Sequence, residues 1–275
     1  MLRKLGLSLI ILIALPFVTY AQTHVQKLDQ LLDLIEYSEI FDDVRPSVLG
    51  LLETGQVPKE SLLGIKWKAA TAEHFDDAQM REKVEAELLV ALPEADLDIL
   101  IPIFSDDFAR RISKLELNAQ NEGTPEFRTA KGAEIALELA NANPDRMELY
   151  FTMMETLGMV DQGVSIVMNV QYALLSGASA NNILPALMTD AEILQQIGSF
   201  EPQIRSYMFD SILGFTAFTY QSLSDDEVAK YIDILNRLEV SRFYSILGQV
   251  AGDVLTAEFA AFAAKLGQLP DQRDL

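Results

Sequence analysis

Residues 223–235 read LSDDEVAKYIDIL, and this stretch decides the fold class. Ser224 followed three positions later by Glu227 is a capping box, in which each side chain bonds the backbone N–H of the other residue at the start of a helix. Behind this pair the apolar residues recur at the spacing of one helical face. The stretch therefore predicts a helix that starts at Ser224.

The same signals recur along the rest of the chain. Apolar residues with helical spacing follow one another almost throughout, as in Leu28, Leu31, Leu32 and Ile35. Further helix starts are predicted at Asp76 with Gln79, Thr189 with Glu192, Thr124-Pro125, Asn143-Pro144 and, as a first helical residue, Pro58. Helix ends are predicted at Gly55, Gly123, Gly158 and Gly267. Because no convincing run alternates apolar and polar residues, we expect an all-α protein of about ten helices, most of ordinary length.

Two parts of the chain resemble each other. Residues 34–40, 92–104 and 110–112 have counterparts at 154–160, 223–235 and 241–243, and the apolar positions of the later elements match. We therefore predict two related helical subdomains in tandem, a first helical unit over 22–122 and a second helical unit over 123–275. The polar stretch 118–124 marks the boundary. The second unit is longer, and its extra residues are assigned to a loop over Ser176–Pro185.

Three features together resemble an exported bacterial helical family called domain of unknown function 2059, in two divergent copies. They are a short opening helix before a hydrophobic helix pair, Trp67 in the sequence GIKW, and the acid-capped closing helix at 223–235. The family continues from that helix into an aromatic-proline-glycine stretch, whereas residues 235–243 lack that proline and glycine, and the first unit departs further at 106–108. The resemblance implies an α-helical exported protein of Gram-negative type. It carries over no catalytic residue, because the family has no established chemistry.

The first residues have the layout of a secretory signal peptide. Arg3 and Lys4 are followed by an apolar stretch from Leu5 to Val18, and Ala21 offers a small residue for cleavage. We expect residues 1–21 to be removed and the product to be periplasmic; an uncleaved anchor is the alternative. A permanent membrane helix needs about 20 apolar residues, and this run is shorter. Charged residues recur in every later apolar stretch, so no further membrane span is expected.

Composition excludes several classes of protein. The chain has 41 acidic and 21 basic residues, a net charge of -20, two histidines and no cysteine. Nucleic-acid binding relies on lysine and arginine to neutralise phosphates, so a nucleic-acid partner is not expected. Without cysteine there is no disulfide framework, no zinc thiolate site and no cysteine nucleophile. Removal of residues 1–21 takes away Arg3 and Lys4 and no acid, which leaves a net charge of -22.

A search for reactive residues yields no catalytic, cofactor-binding or metal site. Phosphate loops, nucleophile elbows, zinc-binding helices and calcium loops are absent from the sequence. His74 is interpreted as a structural histidine near a helix end, and Trp67 as a core anchor. The acid pairs at 42–43, 76–77, 106–107 and 225–226 are interpreted as helix-terminal residues, since acids in a first helical turn are stabilised by the helix dipole. We therefore expect a protein that is not an enzyme.

Two metal-related patterns remain as alternatives. Five methionines lie between Met147 and Met168, and core packing is the favoured interpretation; an adaptable groove for apolar peptides and a copper(I) site are the alternatives. Cleavage after Ala21 would also place His24 at the third position of the mature chain. A free amine, two amide nitrogens and that imidazole can bind copper(II) in a plane, provided that the terminus is flexible and the first helix starts at Gln26.

Two functions stay open from the sequence. The first is a non-enzymatic binding module of the cell envelope, which binds a protein or an apolar peptide through its surface or through the cleft between the two units. Its basis is the repeated helical unit and the apolar C-terminal helices, with Phe215, Phe218, Tyr220, Phe243, Tyr244, Phe259 and Phe262. The second is a carboxylate-dependent hydrolase or lyase. A buried pair of acids from different helices, in a concave pocket away from helix starts, would favour this second function.

Overall fold

The computed structural model describes residues 24–37, 41–53, 60–181 and 187–268, and these residues form an all-α fold. Within them there are twelve helices and no strand. The helices are α1 (residues 24–34), α2 (Val44–Glu53), α3 (Leu62–His74), α4 (Asp77–Ala91), α5 (Glu94–Phe104), α6 (Asp107–Asn121), α7 (Pro125–Ala142), α8 (Pro144–Thr156), α9 (Met159–Ala180), α10 (Asp190–Tyr220), α11 (Asp225–Leu235) and α12 (Leu238–Gln268). The all-α prediction is confirmed. The expectation of mostly ordinary lengths misses α10 and α12, which have 31 residues each.

The predicted helix starts are confirmed by their hydrogen bonds. Thr189 and Ser224 each form a complete capping box with the glutamate three residues later. Asp76 accepts a hydrogen bond from the backbone N–H of Gln79 at 3.0 Å, and Thr124 and Asn143 cap helices whose first residue is proline. These bonds satisfy N–H groups that have no partner inside the helix.

The predicted helix ends are confirmed only in part. Gly123 and Gly158 adopt positive φ angles of 71° and 58° between consecutive helices, a conformation that glycine enters without steric cost. Gly267, by contrast, lies within α12, and residues 176–180 of the predicted loop belong to α9. Gly55 and Pro58, the rest of that loop except 181, and the predicted signal peptide 1–21 lie outside the described residues.

Two close helix contacts bring the long helices together. A side chain at Gly132 of α7 would lie 2.3 Å from the carbonyl oxygen of Gly214 in α10, so the two backbones touch at this crossing. Between α9 and α12, contacts join the residue pairs 162 and 248, 166 and 252, 177 and 263, and 181 and 267. Every pair is 86 positions apart, which shows that α9 and α12 run parallel in a fixed register.

Both predicted units contribute to one hydrophobic core. The cluster of buried side chains contains Phe75, Leu88 and Leu97 from the first unit together with Phe243 and Phe262 from the second. The last helix, α12, packs against α3, α4 and α5 of the first unit and against α9 and α11 of the second. The boundary at 118–124 covers the end of α6 and the turn to α7, and the buried cluster of the described residues extends over both sides of it.

Reciprocal ion pairs link the helix pairs that the sequence alignment matches. Arg111 of α6 pairs with Glu227 of α11, and Arg242 of α12 pairs with Asp96 of α5. In the alignment Arg111 corresponds to Arg242 and Asp96 to Glu227. A contact of i with j that is repeated as j with i is the signature of a two-fold relation. The internal repeat itself stays a prediction.

One helix bears on the expectation that no later stretch approaches a membrane span. Among the described residues, α12 is long and apolar enough to cross a membrane by length and composition, so that expectation is wrong on these two criteria. Its buried side chains, Val240, Phe243 and Phe262 among them, pack in the shared core. A core helix of a globular protein meets the same criteria, and 33% of the apolar 18-residue window of α12 is buried.

Candidate functional site

Residues of the two predicted units line an open cavity of about 350 Å³, here called the inter-unit cavity. The end of α1 and helix α6 form its wall on the side of the first unit, and α8, α9, α10, α11 and α12 form the wall of the second. Its lining residues are Ile35, Glu36, Tyr37, Glu116, Leu117, Gln120, Met153, Leu157, Met159, Phe215, Thr216, Thr219, Tyr220, Tyr231, Tyr244 and Leu247. The volume lies within the usual range of ligand pockets, about 300–1,000 Å³.

The wall of the cavity contains a carboxyl group held by tyrosines. The hydroxyls of Tyr220 and Tyr231 both donate to Oε1 of Glu116, over 2.5 and 2.8 Å. The two tyrosine rings lie 5.8 Å apart between centroids and are tilted by 53°. The three residues come from α10, α11 and α6, so this cluster forms only when the helices of both units pack.

Several polar groups in and around this cluster have no hydrogen-bond partner among the described residues. Both tyrosines bond Oε1 of Glu116, and no residue of the described ranges bonds Oε2. The hydroxyls of Tyr37 and Thr219 are buried and have no partner among the described residues. Buried polar groups normally find partners, so unpaired groups near a cavity need an explanation such as a ligand or an ordered water.

Burial dominates the protonation of the cluster. Loss of solvation raises the pKa of Glu116 above its ordinary value, although the hydrogen bonds from Tyr220 and Tyr231 act in the opposite direction. Burial, and after it the charge of Glu116, raises the pKa of Tyr220 and Tyr231 well above the ordinary value for tyrosine. The pKa of Tyr244 is raised for the same two reasons. The tyrosines therefore stay neutral and act as hydrogen-bond donors.

The charged groups that line the cavity are all acidic. Glu36 and Glu116 belong to the lining, whereas no lysine, arginine or histidine occurs among its described residues. Glu36 has a φ of 53°, which is rare outside glycine and is held here by the turn that ends α1. Residues in such conformations occur preferentially at functional sites.

A second depression, the α8–α9–α10 groove, has a volume of about 830 Å³. Phe151 and Phe209 stack along it with ring centroids 5.9 Å apart, and Met154 lines it beside them. Arg205 in its wall pairs with Asp161 at 2.5 Å and with Glu201 at 3.3 Å. This groove corresponds to the apolar peptide groove that the methionine-rich stretch offered as an alternative.

The methionine cluster divides between core and cavities. Met147, Met153 and Met154 are buried, as the core interpretation predicts. Met153 and Met159 also line the inter-unit cavity, and Met168 is half-buried in α9. The aromatic residues of the C-terminal helices are mainly core: Phe218, Phe243 and Phe262 are buried, and Phe259 packs against the core. Phe215, Tyr220 and Tyr244 line the cavity, and the binding role predicted for these apolar helices stays a prediction.

The two histidines are separated and contact different helices. His74 ends α3, and its Nδ1 lies 3.5 Å from Glu258, a buried acid that also pairs with Lys83. His24 is already helical, so the predicted start at Gln26 is wrong; its Nε2 lies 2.9 Å from the carbonyl oxygen of Leu92. Planar copper(II) binding would require the ring to leave Leu92, and it stays a prediction.

The remaining singled-out residues have structural contacts. Trp67 donates to the carbonyl of Val48 at 2.9 Å and stacks edge-on against Phe262 at 4.8 Å, which confirms its anchor role. The acids at 76–77, 106–107 and 225–226 lie at helix starts as predicted, and Asp43, just before α2, pairs with Arg128. In the described ranges no group of three or more histidine or acidic side chains is arranged to hold a metal.

Glu116 is the functional candidate that sequence reasoning missed. It stands four residues after Ile112 and three before Ala119, both buried, so it falls on the apolar face of α6. An acid on an apolar face is the signal that was available. Its tyrosine partners are 104 and 115 residues away, and no local pattern connects them.

Comparison with known proteins finds no relative of this chain. No model of a protein family, no curated protein and no solved structure matches the chain. The resemblance to domain of unknown function 2059 therefore stays a prediction. Any functional proposal has to rest on the cavity and on the sequence.

Proposed function

We propose that this protein is an exported, non-enzymatic binding protein of the bacterial cell envelope, and that its ligand is a small molecule with an apolar body and one polar head. The inter-unit cavity carries the proposal. Aliphatic and aromatic side chains supply most of its lining, and two of its tyrosine hydroxyls converge on one carboxyl. Ligand pockets commonly combine such an apolar wall with a few placed polar groups.

The layout of the cavity suits binding better than catalysis. Oε1 of Glu116 is occupied by two tyrosine hydroxyls, which fixes the carboxyl in one orientation. The described lining contains neither a histidine to relay protons nor a lysine or arginine to stabilise a developing negative charge. A carboxyl that is held in one orientation and keeps one oxygen without a described partner is suited to orient a ligand head group.

The carboxylate-dependent hydrolase or lyase remains the second candidate, and one observation favours it. Glu36 and Glu116 come from different segments and line one cavity away from helix starts. Enzymes of that class often pair an acid of raised pKa with an ionised one. This candidate predicts turnover of a bound ligand that Glu36→Gln and Glu116→Gln each abolish, whereas the binding proposal predicts recovery of the ligand unchanged.

For the expected protein or peptide partner we propose a separate site, the α8–α9–α10 groove. Glu148, Glu155 and Asp161 line this groove against a single arginine, which is already paired with two acids. A partner segment for it would therefore carry basic residues beside apolar ones. Phe209→Ser should weaken binding of such a segment and leave the inter-unit cavity unaffected.

Export is tested separately from binding. The proposal requires that the first 21 residues direct the chain across the inner membrane and are then removed after Ala21. Mass spectrometry of protein released from the periplasm should show a chain that begins at Gln22. A full-length chain in the membrane fraction would favour the uncleaved anchor.

Binding is tested with hexan-1-ol, a neutral probe with a short apolar body. Leu117→Trp introduces a larger side chain into the cavity wall, whereas Leu137→Trp makes the same change at a site that is 68% exposed. Calorimetric titration should detect binding to the wild type and to the Leu137 variant, with at least about tenfold weaker binding to a folded Leu117 variant. Equal affinity in all three proteins would place the probe elsewhere and contradict the proposal.

A further inference from the structure

We propose that the ligand of the inter-unit cavity is an organic cation, an alkylammonium group on an apolar body, with Glu116 as its counter-charge and tyrosine rings as the wall around it. This inference rests on the proposed binding function and specifies the chemistry of the head group. It follows from the charges, the aromatic faces and the free carboxyl oxygen of the cavity.

The charge of the lining selects against anions. Glu36 and Glu116 are both acidic, and no basic side chain occurs in the described lining to offset them. The whole chain adds to this field, with a net charge of -20. A cleft lined by one sign of charge concentrates ligands of the opposite sign. A carboxylate or phosphate head group would meet repulsion in this cavity and an ammonium group would be attracted.

The aromatic residues supply the second element of cation recognition. Tyr220, Tyr231 and Tyr244 all line the cavity, and the first two rings lie 5.8 Å apart and tilted. The face of an aromatic ring attracts a cation, and groups of such rings are used in proteins to hold ammonium ligands. Phe215 and Leu247 extend the wall with apolar surface for the body of the ligand.

The carboxyl group supplies the third element. Tyr220 and Tyr231 occupy Oε1 of Glu116, and no described residue bonds Oε2. Glu116 is half-buried, so an ammonium group that reaches Oε2 would meet a carboxylate in a poorly solvated place. Hydrogen bonds to charged groups in such places contribute more than bonds between neutral groups.

Binding of a cation should also release a proton. Burial raises the pKa of Glu116 above its ordinary value, and a bound ammonium group favours the ionised form, so binding at a pH near that raised pKa displaces the proton. The affinity should therefore rise as the pH increases through the pKa of Glu116. The titratable groups that line the same cavity from the neighbouring elements are Glu36, Tyr37, Tyr220, Tyr231 and Tyr244.

The test compares three probes that share one six-carbon chain: hexylamine, hexan-1-ol and hexanoate. Calorimetric titration of the full mature protein near neutral pH should give at least about tenfold tighter binding of hexylamine than of hexan-1-ol, with hexanoate weakest. Hexylamine binding should release protons, seen as a dependence of the measured enthalpy on the ionisation enthalpy of the buffer.

Variants assign the preference to Glu116. Glu116→Gln keeps an acceptor for both tyrosines and should lower hexylamine affinity about tenfold, with hexan-1-ol unchanged within about twofold. Glu122→Gln removes the same charge from an exposed position at the end of the same helix and should change neither affinity. Tyr220→Phe removes a bond that lowers the pKa of Glu116, so it should shift the pH midpoint of hexylamine binding upward.

The outcomes separate the two proposals. Hexan-1-ol or hexanoate binding as tightly as hexylamine, or an unchanged cation preference in Glu116→Gln, overturns the cation and leaves the cavity as a binding site. Failure of all three probes to bind overturns the proposed function itself. If Glu116→Gln does not fold, an unshifted pH midpoint in Tyr220→Phe overturns the assignment to Glu116.

Discussion

At the scale of single residues, the molecule combines two kinds of buried charge. Arg146 is 4% exposed and fully bonded: it donates to the hydroxyl of Tyr150, to Asp225 and to the carbonyls of Tyr220 and Leu223. Glu116 has hydrogen bonds to one oxygen only. The first arrangement fixes the segment that leads from α10 to α11, and the second leaves an oxygen available for a ligand.

The raised pKa of Glu116 predicts a pH-dependent stability difference. The folded state holds the proton more tightly than the unfolded state, so this residue stabilises the fold below its ordinary pKa of 4.5 and loses that contribution as the pH rises through the raised value. Relative to Glu116→Gln, the wild type should therefore lose thermal stability as the pH rises above 4.5. Glu122→Gln, the surface control, should follow the wild type. A difference that does not change with pH would show that the folded-state pKa is ordinary.

At the scale of helices, local signals and long-range packing differ in how far the sequence reveals them. The caps at Thr124, Asn143, Thr189 and Ser224 depend on residues within three positions of one another, and all were predictable. Gly267, which was predicted as a helix end, lies within α12 and packs against Asn181, the residue that follows α9, a contact that small residues permit. Local patterns do not distinguish a glycine that ends a helix from one that admits a neighbouring helix.

The candidate site was not predictable for the same reason. Oε1 of Glu116 gathers hydroxyls from two helices of the other unit, and the apolar lining comes from five further segments. The sequence indicated a cleft between the units. For Glu116, the one available signal was its position as an acid on an apolar helix face. The position, size and charge of the cavity follow from tertiary packing alone.

Two glycines provide a matched test of helix packing. Alanine at Gly132 would meet the backbone of Gly214, which has no flexible end to move aside, whereas alanine at Gly198 of α10 meets nothing within 4 Å. Overpacking costs about 1–3 kcal/mol, and an exposed Gly→Ala change inside a helix gains up to about 1 kcal/mol. Chemical denaturation should therefore show a lower free energy of unfolding for Gly132→Ala and an equal or higher one for Gly198→Ala. Equal gains at both positions would mean that α7 and α10 do not touch as described.

At the scale of the whole molecule, one core and a large negative charge act together. Helices of both units bury side chains in a single cluster, and the reciprocal pairs of Arg111 with Glu227 and Arg242 with Asp96 cross between the units. The cavity lies between the same units. A ligand bound there would contact both units at once and stabilise their association.

The net charge predicts a response to salt. Like charges repel across the acidic surface, and dissolved ions screen this repulsion, so moderate salt should raise the thermal midpoint. Thermal scans over increasing sodium chloride measure the effect. Calcium at low ionic strength should add no saturable step beyond general screening. A stoichiometric calcium effect that monovalent salt does not reproduce would contradict screening as the cause.

The most direct test of the inter-unit cavity as the ligand site is a nuclear Overhauser measurement between unlabelled hexylamine and protein with isotope-labelled tyrosine and phenylalanine rings. The cavity predicts cross-peaks from the ligand to Tyr220, Tyr231, Tyr244 and Phe215, and none to Tyr207, which is 66% exposed on α10. Cross-peaks confined to Phe151 and Phe209 would place the ligand in the α8–α9–α10 groove instead and contradict the central claim.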